Sequence, residues 1–310
     1  MKAWAGVGIA LLAACVAAES PAQSEAPASA PMEAASLTAP PPPSSGIACA
    51  GAFTQGGVAL CRTVPGARIT VDDQQRGVAD SEGWAVIGFG REHGPSARVV
   101  ATVTVPAARD FAQTYDIAPR QFDIQRVDGL PQQTVTPTDP EVLARIQRET
   151  ALKQAAFASL ADIEGFLDGF IRPVEGGVVS GTWGNQRILN GEPRSPHFGY
   201  DIALPIGTPI RAPAAGIVTM SNPDLHFEGG FVAIDHGQGL ITMYLHMSRL
   251  DVRAGDTVEQ GQVIGAVGAS GRATGPHLCW RMKWRNAVQL DPSVAIEGLA
   301  QARRALLVAN

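Results

Sequence analysis

His277 and Cys279 lie two residues apart in the run Pro276-His277-Leu278-Cys279-Trp280. The run reads as a strand entered through the Gly275-Pro276 turn, and in a strand residues two apart point to the same face. An imidazole beside a thiol is a zinc-ligand pair, or an acid/base group next to a ligand. The pair gains weight from two segments upstream. His197-Phe198-Gly199-Tyr200-Asp201 offers an imidazole and a carboxylate four apart, and Tyr244-Leu245-His246-Met247 offers a further imidazole. The surroundings of His197 are rich in Pro and Gly, which argues against a helix, and extended chain also places His197 and Asp201 on one face. Both are ordinary zinc ligands, and a catalytic zinc site keeps one position open for water.

Together the three segments resemble the zinc metallopeptidases of the M23, lysostaphin-like or LytM-type, family, which hydrolyse peptide bonds in peptidoglycan. The marks of that family are H-x-x-x-D, an isolated His after a strand, and H-x-H, and all three occur here in that order over residues 170–292. Residues 56–62 and 118–130 resemble the front half of a proteobacterial lineage within the family. The resemblance implies that His197 and Asp201 bind Zn2+ and that Cys279 occupies the third ligand position, where the family usually has a histidine. It also implies that His246 and His277 are the two non-ligand catalytic histidines. One takes a proton from the attacking water and the other stabilises the oxyanion; His277 is favoured as the base because its neighbour reaches the metal.

Thiolate is a good zinc ligand. Two histidines and an aspartate leave the metal net positive, whereas His, Asp and thiolate leave it near neutral, so the expectation is zinc retained and hydrolysis slowed. The contrary expectation is an inert buried thiol in a domain without metal. The resemblance therefore implies a cell-envelope zinc endopeptidase acting on peptidoglycan stem peptides. Its alternative is a non-catalytic wall-binding relative, or an activator of another hydrolase, with a protein partner regulating access.

The elements that must position these residues read as mainly β. With 45% hydrophobic residues, 34 Gly and 23 Pro, the chain suits a turn-rich β protein. A net charge of −5 without a basic block argues against nucleic acid as a partner. Residues 1–18 read as an export signal, with Leu12-Ala13-Ala14-Cys15 as a lipobox whose cysteine is acylated and held at a membrane. The alternative is ordinary cleavage near Ala18. Export implies the periplasm or cell envelope. Residues 19–46, rich in Pro and Ala, read as a tether.

Residues 47–125 read as an Ig-like β domain whose Cys49 and Cys61 flank a hairpin and are suited to a disulfide. His93 there reads as a solvated turn residue. Residues 126–170 read as a linker and helix, capped by Thr138 or Asp139, with an apolar stripe of Val142, Ile146, Leu152, Ala156 and Leu160 reaching about Phe170. Residues 171–295 read as the LytM-type peptidase domain and 296–310 as a tail. Within the peptidase part, Gly255-Asp256-Thr257-Val258 to Gly265-Ala266-Val267 echoes Gly207-Thr208-Pro209-Ile210 to Gly216-Ile217-Val218, an internal duplication of the barrel-sandwich kind. Lipoyl-type carrier domains share such hairpins, but Lys283 lies in an alternating run rather than at a hairpin tip. His236 reads as a hairpin-tip residue, His226 as part of a loop bordering the groove, and Tyr200, Tyr244, Trp183 and Phe198 as groove or core aromatics.

Overall fold

Alternating apolar runs between Gly and Asp turns produce two antiparallel sheets in the front half. Strands β1 (Ile47–Gly51), β2 (Val58–Thr63) and β5 (Trp84–Gly88) form one. Strands β3 (Arg68–Val71), β4 (Gln74–Val78), β6 (Ser96–Val103) and β7 (Arg109–Asp116) form the other. This is the count of strands expected for an Ig-like sandwich. Phe53 stacks on Tyr115, and the Tyr115 hydroxyl accepts a bond from the Cys49 amide. Cys49 and Cys61 are directly paired across β1 and β2 and form the disulfide. His93 is not simply solvated: its Nε2 lies 3.0 Å from Asp72 Oδ2, and its ring meets Phe89 edge-on.

The computed structural model describes Met1 and residues 43–104, 107–129 and 135–308. The expected signal peptide, the lipobox at Cys15 and nearly all of the tether lie outside the described residues. Among the described residues no helix is long and apolar enough to cross a membrane.

Helix α1 (Pro140–Phe157) starts as its sequence dictates. Asp139 caps it by accepting from the Glu141 and Val142 amides, and Pro140 needs no partner in the first turn. It ends at Phe157, short of the expected Phe170. The chain beyond turns onto a neighbouring hairpin, where the Ala161 amide donates to Asp235 Oδ2, and a 3-10 turn follows at Gly165–Asp168. The expected stripe is also corrected, since Leu152 and Leu160 are exposed and the helix buries Glu149, Ala156 and Phe157 instead. Ion pairs replace the missing apolar contact: Arg145 with Asp224 and Lys153 with Glu228.

The back half is built on one open sheet in the order β18 (Thr257–Val258), β14 (Gly216–Leu225), β15 (Gly229–Asp235), β16 (Leu240–Met247), β20 (His277–Trp284), β12 (Tyr200–Ala203) and β9 (Val178–Gly181). Strand β21 (Val288–Leu290) pairs with the far end of β20. A second sheet joins β13 (Pro209–Arg211), β19 (Val263–Ala266) and β17 (Arg249–Leu250). The two echoing segments exchange partners: β13 pairs with β19, and the start of β14 pairs with β18. Neither sheet closes into a barrel among the described residues.

A third small sheet crosses the halves, because β8 (Ile124–Val127) runs parallel to β10 (Gln186–Leu189), which pairs with β11 (Glu192–Arg194). The apolar core is continuous from Trp84 and Leu60 in front to Trp280 and Trp284 behind. Helix α2 (Gly298–Val308) closes it against β1 and β2. Truncating a buried tryptophan here would cost about 3–5 kcal/mol, so the two halves hold each other in place.

Candidate metal centre and groove

Strand register brings the expected residues together. Asp201 on β12 sits directly opposite Cys279 on β20, and Ala203 sits opposite His277, so all four share one face of the sheet. His197 precedes β12 in extended chain, pinned by its amide donating to Asn185 O and its carbonyl accepting from Gly184 N. One nitrogen, one oxygen and one sulfur from His197, Asp201 and Cys279 lie within 4.8 Å of one another. His197 Nε2 is 3.3 Å from Asp201 Oδ1 and 3.6 Å from Cys279 Sγ. A tetrahedral zinc site with bonds of about 2.0–2.3 Å has edges of roughly 3.3–3.7 Å, so the donor set fits this metal.

Two further observations support that fit. Asp201 Oδ1 has no hydrogen-bond partner although it is buried. A side chain at Gly199 would drive a Cβ to 2.4 Å from Cys279 Sγ and 2.7 Å from His197 Nε2, so the space beside the donors depends on glycine.

The electrostatics are those of a buried ligand set. Burial raises the Asp201 carboxyl, but the bond to His197 outweighs it and holds the pKa at about 2. Burial lowers His197 against the pull of Asp201, keeping the imidazole neutral. The Cys279 thiol is pushed up to about 12 by burial, with the Arg281 charge opposing. Arg281 Nε donates to Cys279 Sγ at 3.3 Å.

The two other histidines face each other at the edge of the trio, with ring centroids 4.7 Å apart. His277 Nδ1 donates to Gly275 O and His246 Nδ1 donates to Ser270 O, each at 2.8 Å. In the neutral rings both Nε2 atoms are therefore acceptors. Burial and then the charge of His277 press His246 down to about 4. Leu245 and His246 both line the groove, although neighbours in a regular strand face opposite ways. The reason is local: His246 has a φ of +65°, and the β15–β16 register shifts between Gly230 and Val232.

The groove over this cluster encloses about 380 Å³. A crystal structure of an M23 peptidase candidate from Pseudomonas aeruginosa is 32% identical, covers 80% of this chain and 96% of its own, and superposes with a TM-score of 0.59. The model of peptidase family M23 matches residues 195–292, the stretch that holds all five site residues. The chain belongs to peptidase family M23. Among curated relatives, this M23 chain is 43% identical over 88 residues to the peptidoglycan DD-endopeptidase ShyA of Vibrio cholerae. It is 39% identical over 116 residues to the DD-carboxypeptidase/endopeptidase Mpg of Neisseria meningitidis. These matches take in 28% and 37% of the M23 chain but only 20% and 26% of the relatives.

Other residues of the M23 chain fall outside the site or were not foreseen. His236 ends β15 at a hairpin, as its turn composition suggests, but it is fully buried, with Nδ1 on Ala215 O and Nε2 on Thr242 Oγ1. Tyr244 and Trp183 are core. His226 stands in the bordering loop with its amide donating to Glu149, while its neighbours Phe227 and Glu228 line the groove. Sequence reasoning missed Arg187, Arg272 and Arg281, which also line it. Of these only Arg281 carried a signal, being two residues past Cys279 on the same strand face.

Proposed function

We propose that this M23 chain is a cell-envelope zinc endopeptidase that hydrolyses peptide cross-links of peptidoglycan. The observation that carries the reading is the convergence of His197, Asp201 and Cys279 donors within 4.8 Å beneath a groove walled by His246 and His277. The relatives named as acting on peptidoglycan supply the substrate class by similarity. In the same reading, a lipid on Cys15 anchors the chain to a membrane, and residues 19–46 serve as the tether.

In this proposal His197, Asp201 and Cys279 hold zinc, which supplies Lewis acidity to the attacking water and to the scissile carbonyl. His277, with Nε2 free to accept, takes the proton of the water and returns it to the leaving amine. His246, neutral and also an acceptor at Nε2, orients the water. An oxyanion-holding role for His246 first needs a proton on that nitrogen, which its low pKa opposes. Arg281 withdraws electron density from Cys279 Sγ through its hydrogen bond and so offsets part of the charge that a thiolate brings.

One observation favours a second reading, a non-catalytic wall-binding or activator protein. Cys279 is buried as a neutral thiol already bonded to Arg281, and a thiol binds zinc only by releasing its proton. The deciding test is the metal content of the full chain purified without chelator or added metal, beside Cys279→Ser and Cys279→His. The expected result is about one zinc per chain, lost in Cys279→Ser, with peptidoglycan digestion by the native chain and faster digestion by Cys279→His. A native chain without zinc sinks the enzyme and leaves the wall-binding reading.

A further inference from the structure

The groove holds more positive charge than its metal-ligand trio requires. Arg187 on β10, Arg272 in the loop before β20 and Arg281 on β20 all line it, against the carboxylates of Asp201 and Glu228. Asp201 faces His197 through one oxygen and lies 3.9 Å from Arg187 through the other. Glu228 is tied to Lys153 of α1. Arg281 is committed to Cys279. The side-chain neighbour that Arg187 bonds most closely is the neutral Gln125, at 3.3 Å. Arg272 lies with its guanidinium carbon 4.5 Å from the Phe227 ring centroid, a stacked placement that orients the fork without supplying negative charge.

The charges also act on one another. Burial and the Arg281 charge both work against Arg187. Burial and the charges of Arg187 and Arg281 work against Arg272. Like charges held this close, in a groove partly cut off from water, are relieved when an anion enters.

We infer that Arg187 and Arg272 form a subsite for a carboxylate carried by the substrate residue next to the scissile bond. The inference rests on the peptidase reading above and narrows its substrate. Arg187 reaches to 3.9 Å from Asp201, a metal-ligand residue, so a group bound there is within one residue of the reacting carbonyl. A guanidinium fork pairs with a carboxylate through two parallel charge-assisted bonds, and a carboxamide offers neither the charge nor the second acceptor. Two sources present this chemistry on the amine side of the bond. One is the terminal carboxylate of an uncross-linked peptide. The other is the α-carboxylate of a diamino acid whose side-chain amine forms the cross-link.

The test uses the full chain stripped of metal by chelation, so that no metal partners the carboxylate, and calorimetric titration with two pairs of probes. The first pair is an N-acetylated peptide ending in D-Ala-D-Ala, as the acid and as the amide. The second is a peptide joined through the side-chain amine of a diamino acid, with its α-carboxyl free or amidated. The expected result is that the acid binds about tenfold tighter than the amide in at least one pair, the ratio worth one charge-assisted contact. The pair that discriminates identifies the source. Arg187→Gln and Arg272→Gln each remove most of the preference, and Arg272→Lys keeps part of it. Equal binding of acid and amide in both pairs, or no binding of any probe, overturns the subsite. Neither metal nor turnover enters the measurement, so a chain that proves to hold no zinc still gives this answer. Zinc-dependent hydrolysis without acid preference removes the subsite and leaves the peptidase.

Discussion

At the scale of single residues, Gly199 shows how little space the three donors leave. A methyl group there would come within 2.4 Å of Cys279 Sγ, closer than any side chain is tolerated. Gly199→Ala is expected to push a donor aside and weaken zinc binding by about tenfold or more while the far-ultraviolet circular dichroism is unchanged. Undiminished zinc affinity would show that the donors move freely. His236 gives a separate test away from the groove. Burial holds its pKa at about 4, whereas an unfolded imidazole titrates near 6.5. The unfolded chain therefore binds this proton first as pH falls. The stability contribution is complete above pH ~6.5, declines between ~6.5 and ~4, and levels off below, for a total of about 3 kcal/mol. His246 adds a slope of the same sign. Urea unfolding of chelated protein across this range should give His236→Gln a shallower pH slope than the native chain, by about one proton; an equal slope would assign the effect elsewhere.

At the scale of elements, α1 acts as a brace for the loop that leads into β15. Glu149 accepts from the His226 amide, Lys153 pairs with Glu228, and the Glu228 carbonyl accepts from the His246 amide at 2.8 Å. Removing the ammonium leaves a half-buried carboxylate unpaired on that loop. Lys153→Ala should cost about 1–2 kcal/mol in urea unfolding and slow peptidoglycan digestion several-fold, with zinc content unchanged. A variant that digests at the native rate would show that the helix merely covers the sheet.

For the whole molecule, the front sandwich and the peptidase sheet share one core and a polar seam. Gln238 bonds Val86 N and Trp84 O, and Arg120 pairs with Asp291 at 2.9 Å. Strand β8 carries Gln125 and Val127 into the groove wall, so the segment between the halves helps to shape the site. The Cys49–Cys61 disulfide closes a short loop on the side away from the metal trio. Cys49→Ala/Cys61→Ala is expected to lose about 3 kcal/mol by loop entropy and to keep its zinc. Because the core is continuous, the loss should appear in a single unfolding transition seen equally by front and back probes. Separate transitions would show that the halves unfold independently.

The sequence by itself determined the donor types and their order. A strand read from Gly-Pro and alternation put His277 and Cys279 on one face, and an extended reading put His197 with Asp201, because both arguments need only local periodicity. The cap at Asp139 and the Cys49–Cys61 pairing were legible for the same reason. What only the tertiary structure decided depends on contacts far along the chain. The β12–β20 register sets Asp201 opposite Cys279. The positive φ of His246 turns it to the face that Leu245 already occupies, against strand alternation. Buried partners at Ala215 and Thr242 make a structural hub of His236, where composition shows only a turn. Arg187 and Arg272 come from loops and strands with no motif, and only folding gathers them beside the trio, where their charge bears on what the groove accepts.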